Sequence, residues 1–152
     1  MSGNLVRAIV LAGLIAGTVD IGAAAIINGI DPVVIAQAIA SGLLGKASYY
    51  EGWHSAVLGV ALQWAISIVI AAIFAIAAQD LSPLRRHWIA AGVAYGVVIF
   101  VVMNFVIVPL SNAYPGRGHP MPLDKIAENL AAMLVFGLIV SYLAKGAVRR
   151  KV

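Results

Sequence analysis

Residues 5–29 read LVRAIVLAGLIAGTVDIGAAAIING, and this stretch decides the fold class. As a helix rising 1.5 Å per residue it is roughly 37 Å long, more than a hydrocarbon core of about 30 Å requires. Its charges are Arg7, near the start, and Asp20, two thirds of the way along. An apolar run of this length predicts a transmembrane helix, and an acid within it raises a question about function.

The rest of the chain repeats the pattern. Of 152 residues 62% are hydrophobic and 11% charged, with a mean hydropathy of +1.00, where soluble domains are about half apolar and a quarter charged. Further apolar runs cover residues 55–78, 88–110 and 122–145. With residues 5–29 they predict an all-α membrane protein, a four-transmembrane-helix bundle forming one integral membrane domain over residues 1–152. A signal-peptide reading of the N-terminus would leave three spans. Arg7 follows apolar residues with no polar segment before it, so retention and four spans are expected.

A shorter run, residues 32–45, is too short to span and predicts an outer interfacial or re-entrant helix between spans one and two. Asp31 and Pro32 supply an N-cap acceptor and a first-turn residue. Ile35, Ile39 and Leu43 fall on one side of this helix with Gln37 and Ser41 roughly opposite, the pattern of a helix lying along the membrane surface. Tyr49, Tyr50 and Trp53 follow as a headgroup-level aromatic belt.

Basic residues predict the orientation. Arg7, Arg85, Arg86, Lys145, Arg149, Arg150 and Lys151 fall on one side of the bundle, against Lys46, Arg117 and Lys125 on the other, which puts both termini in the cytoplasm. The net charge of +4 forms no stripe with interleaved aromatics, so no nucleic-acid partner is expected. The chain has no cysteine, which excludes disulfides, thiolate metal sites and covalent haem attachment.

Small residues recur at helical spacing: Gly13 and Gly17 in span one, Gly59 with Gln63 and Ser67 in span two, Gly92 and Gly96 in span three. Such faces let helices approach closely, either within one bundle or between protomers. They suggest a scaffold or accessory subunit acting through helix packing, as a homo-oligomer or in a larger membrane complex.

Polar side chains supply the alternative. Asp20 and Gln63 lie roughly 13 Å below the outer ends of their spans, and Asn104, Glu128 and Asn129 roughly 9 Å below theirs. His54 sits at the outer mouth of span two. This convergence in the outer half is a candidate polar cluster, suited to proton- or cation-coupled transport; whether it binds a metal stays open. The bland readings are an ion pair of Glu128 with Lys125, an Asp20 hydrogen bond to Gln63 or Asn104 that merely fixes packing, and an interfacial His54.

No G-x-S-x-G, H-E-x-x-H, G-x-x-x-x-G-K-[ST] or dinucleotide-binding pattern occurs, which disfavours an enzyme. His54 and His87 fall on opposite sides of the membrane and cannot share one haem. His119 stands in the turn-rich segment SNAYPGRGHPMP without metal-ligand spacing. No cofactor is expected.

GLIAGTVD, IASGLLG, LGVALQWAIS, YGVVIFVVMNFVIVPLS and KIAENL, in this order, resemble a group of small bacterial four-helix inner-membrane proteins and, more distantly, the YagU group. The resemblance implies the four-span architecture and a bacterial inner-membrane location. Histidines often stand in such proteins where this chain has Gln63 and, in the YagU group, near Ala132. A metal or proton site built on them would be incomplete here.

Overall fold

The computed structural model describes residues 3–113 and 122–147. Arg117, His119, Arg149, Arg150, Lys151 and the centre of the segment after span three lie outside the described residues. Helices α1 (Gly3–Asn28), α2 (Pro32–Leu44), α3 (Trp53–Asp80), α4 (Ser82–Arg86), α5 (Trp88–Val102), α6 (Val108–Leu110) and α7 (Leu123–Ala147) follow in order. A 3-10 turn (Gly45–Tyr49) precedes α3, and a π turn (Met103–Ile107) joins α5 to α6 into one span, Trp88–Leu110. Four helices are therefore long and apolar enough to cross a membrane. The chain has the fold of a four-helix bundle, as fits a multi-pass membrane protein.

Local chemistry sets the ends of these elements. Asp31 caps α2 by accepting a hydrogen bond from the Val33 N–H at 2.7 Å, with Pro32 in the first turn. The α3 C-terminus is closed by Arg85, whose Nη1 donates to the Ala78 carbonyl at 2.6 Å and the Gln79 carbonyl at 3.1 Å. At the same end of the bundle the Lys145 ammonium lies 3.8 Å from the Trp88 ring centroid, covered by an aromatic face.

The bundle closes through glycines. Helix α1 packs against α3 and α7, and α5 packs against α7. A Cβ on Gly13 would come 2.5 Å from Ile68 Cγ1, and one on Gly17 2.7 Å from Ser67 Oγ, so only hydrogens fit between α1 and α3 there. Across α5 and α7, Gly92 and Gly96 meet Gly137, where a Cβ on Gly96 would stand 2.5 Å from the Met133 carbonyl oxygen. Every glycine on the small-residue faces thus serves a contact within the chain. Gly137 belongs to the same seam and was not anticipated, although Gly137 and Ser141 repeat the small-xxx-small spacing.

Along α2 the structure buries Ile35, Ala36, Gln37, Ala40 and Ser41 and leaves Leu43 60% exposed. The polar side of α2 thus faces protein, together with Ile35 at the start of its apolar side. Gln37 Nε2 donates to the Gly52 carbonyl at 3.0 Å and Ser41 Oγ to the Ala38 carbonyl at 2.6 Å, while Ala36 closes onto Gly59. The Asn112 N–H donates to the Gly42 carbonyl at 3.0 Å, tying α2 to the end of the third span. Polar groups satisfied by backbone carbonyls need no water, so the polar side of this short helix between the first two spans can pack against protein.

Helices α3 and α5 do not pack along their length. Tyr95 of α5 bridges them: its hydroxyl donates to the Ile70 carbonyl at 2.7 Å and its ring lies 5.1 Å from that of Phe74. Beyond this bridge, toward α2, the space between the two spans widens into a groove.

Candidate functional site

Asp20 projects from α1 two turns before its end, and its Oδ2 accepts a hydrogen bond from Gln63 Nε2 of α3 at 2.7 Å. Gly17, one turn earlier on α1, brings the two helices close enough for that bond. Beside it the Trp64 Nε1–H donates to Thr18 Oγ1 at 3.1 Å. Ser67, one turn beyond Gln63, is 1% exposed, and its hydroxyl has no hydrogen-bond partner among the described residues.

Asn104 reaches the same place by a different device. Pro109 has no N–H to give the preceding turn, and the Val108 N–H bonds five residues back to the Met103 carbonyl, forming the π turn. The extra residue per turn re-aims Asn104. Its Nδ2 donates to the Phe100 carbonyl at 2.8 Å, and its Oδ1 accepts from Asn129 Nδ2 of α7 at 3.5 Å, a long bond.

Together Asp20, Gln63, Ser67, Asn104 and Asn129 line a cavity of about 280 Å³, completed by apolar side chains that include Ile35 and Ile39 of α2 and Met133 and Phe136 of α7. Four of the six residues of the expected polar cluster meet here. The other two do not. Glu128 pairs with Lys125 at 3.0 Å, its side chain 44% exposed, and shares with Asp20 a separate recess of about 290 Å³ on the α1–α7 surface. His54 is exposed at the start of α3 and is not among the cavity residues. The first turns of α3 lie against α2.

Lys125 guards an opening of about 330 Å³ between α1 and α7 that Asp20, Asn28 and Asn129 also line. Its Nζ donates to the Ile27 carbonyl at 2.5 Å as well as to Glu128, so its charge is held by the C-terminal end of α1 and by a carboxylate. Among the described residues lining the cavity itself, Asp20 alone is ionisable. No three His, Asp or Glu side chains come together as a metal set among the described residues.

The cavity therefore presents one carboxylate beside amide and hydroxyl groups, and no basic side chain is among the described residues that line it. Such a lining suits a proton or a monovalent cation. Ser67 was legible only as a small residue on a packing face; its position four residues after Gln63 was the available signal.

Comparison of the chain with protein-family models, with curated proteins and with solved structures finds no match.

Proposed function

We propose that this chain is a bacterial inner-membrane protein, both termini cytoplasmic, whose Asp20 cavity binds a small monovalent cation in exchange for a proton. One observation carries the reading: Asp20, Gln63, Ser67, Asn104 and Asn129, drawn from all four spans, converge on one cavity that no basic side chain among the described residues enters. A carboxylate at bilayer depth is costly, and a cation or proton shared with polar oxygens offsets that cost. Transport by so small a bundle calls for a second copy or a partner subunit.

The alternative, a scaffold or accessory subunit, is favoured by the third span, only 11% of whose most apolar window is buried. The small-residue faces no longer support it, because their glycines meet partners inside the chain. The function has no catalytic chemistry in this reading.

Proteoliposomes holding the full chain and an imposed pH gradient test the proposal with tetramethylammonium as the probe, a permanent cation that does not cross lipid unaided. Gradient-driven uptake that Asp20→Asn abolishes is expected. Uptake equal to that of protein-free liposomes, or unchanged by the substitution, would overturn it.

A further inference from the structure

Asp20 lines the opening between α1 and α7 as well as the cavity, and it keeps part of its surface exposed. Among the described residues that line this opening, the charged ones are Asp20 and Lys125, of opposite sign, with the amides of Asn28 and Asn129 beside them. Glu128 lines the neighbouring recess and not this space.

The two helices set the spacing of the charges. Asp20, Ala24 and Ile27 recur at helical spacing on α1, as Lys125, Asn129 and Ala132 do on α7, so each helix gives the opening one face. Lys125 Nζ is bonded to the Ile27 carbonyl, two turns past Asp20. The charges are therefore roughly 10 Å apart at about 1.5 Å per residue. An ammonium has three N–H donors, of which the Ile27 carbonyl and Glu128 take two. The third is left for a ligand, and the Lys125 side chain, 34% exposed, is within reach of one.

We propose that the α1–α7 opening binds a small zwitterion, its ammonium against Asp20 and its carboxylate on Lys125. The inference rests on the cation-binding reading of Asp20 and names the substrate class, a cationic head that arrives with its own carboxylate. No passage from the cavity is needed, because both charged groups line one space. Length selects this occupant. An ammonium about 4 Å from a carboxylate, a one-carbon spacer of about 3 Å and an N–H···O bond of about 2.8 Å together span roughly 10 Å. Charge order selects it too. A free anion meets Asp20 and a free cation meets Lys125, whereas a ligand carrying both signs in this order meets neither repulsion. The same order rejects a zwitterionic lipid. Asp20 is nearer the middle of its span than Ile27, where Lys125 is bonded. A lipid headgroup in the adjacent leaflet carries its phosphate on the inner side and its ammonium outermost, the reverse of what the two side chains offer.

The full chain in nanodiscs of phosphatidylglycerol is titrated with glycine betaine, with tetramethylammonium and with acetate. Glycine betaine is tetramethylammonium with a carboxylate on one methyl carbon, so the pair isolates the second contact. Betaine should bind about tenfold tighter than tetramethylammonium, and acetate should not bind. Lys125→Gln should lower betaine affinity about tenfold, the loss of one charged hydrogen bond, and leave tetramethylammonium at least as tight. Asp20→Asn should weaken both. Lys125→Met repeats the test should Lys125→Gln fail to fold, and Lys125→Arg should restore the preference for betaine. Phosphatidylcholine added to the discs should leave betaine binding unchanged.

Betaine binding no tighter than tetramethylammonium, or a preference that survives in Lys125→Gln, would overturn the inference alone if tetramethylammonium still binds in an Asp20-dependent way. Competition by phosphatidylcholine would give the site to lipid headgroups and overturn it as well. If neither betaine nor tetramethylammonium binds, the cation-binding reading of Asp20 fails with it.

Discussion

Gly137→Ala is the sharpest test of how the bundle is closed. The added Cβ would overlap the Gly92 carbonyl oxygen and stand 2.7 Å from the Gly96 nitrogen and 3.0 Å from the Gly96 Cα, all backbone atoms that no rotamer change can move. Ordinary carbon contacts lie at about 3.5–4.0 Å, so α5 and α7 must separate by roughly 1 Å. Overpacking of this kind costs about 1–3 kcal/mol. The consequence should concentrate on the third span, because α7 is the helix on which α5 chiefly packs. Controls come from Gly22 and Gly146, where a Cβ would meet nothing within 4 Å. There alanine should be neutral, or stabilising by up to about 1 kcal/mol through helix propensity. Unfolding in mixed micelles, followed by helical circular dichroism and by limited proteolysis, reads both effects. A Gly137→Ala protein as stable as Gly22→Ala would refute the close α5–α7 seam, and loss of an oligomer without loss of monomer stability would move that glycine to an interface between copies.

Other outcomes follow from the site. A double-mutant cycle of Asp20→Asn and Gln63→Leu should give a coupling of about 1–2 kcal/mol in micelle unfolding, the range for interhelical hydrogen bonds in membranes; coupling below about 0.3 kcal/mol would mean that the 2.7 Å bond is not maintained. Ser67→Ala removes a hydroxyl with no partner, so it should leave stability unchanged or slightly raised while weakening tetramethylammonium binding. Ser55→Ala should instead lose about 1 kcal/mol, because Ser55 Oγ donates to the Ser48 carbonyl at 2.5 Å and lies 3.0 Å from that of Gly52. Pro109→Ala restores an N–H and lets the π turn relax to α geometry, rotating Asn104 out of the cavity. Faster amide exchange at Asn112, as its bond to Gly42 is lost, together with weaker cation binding would bear this out; unchanged exchange and binding would refute it.

Much of the fold was legible because membrane insertion writes a one-dimensional signal. A run of some twenty apolar residues has few structural uses besides crossing a bilayer, and the four runs lie within a few residues of α1, α3, the α5–α6 span and α7. The Asp31–Pro32 cap was equally local. The burial of α2 was not legible. Its alternation of apolar and polar residues fits a helix on water as well as one whose polar side meets protein, and only the neighbouring carbonyls and the glycine at position 59 decide between them.

The candidate site divides in the same way. Asp20, Gln63, Asn104 and Asn129 could be recognised by depth, since a polar group far from both membrane faces is expensive wherever its helix turns. Depth is a coordinate along one helix, however, and carries no information about azimuth. Azimuth turned Glu128 to the recess between α1 and α7, beside Lys125, and left His54 exposed at the start of α3. Sequence alone determined the four apolar helices, their approximate ends and the levels of their polar groups, because hydropathy and rise per residue are local quantities. Which faces meet, that the glycines are spent within the chain, and that residues of all four spans converge on the cavity at Asp20 were decided by tertiary packing, where backbone approach at a few glycines fixes how the helices are turned.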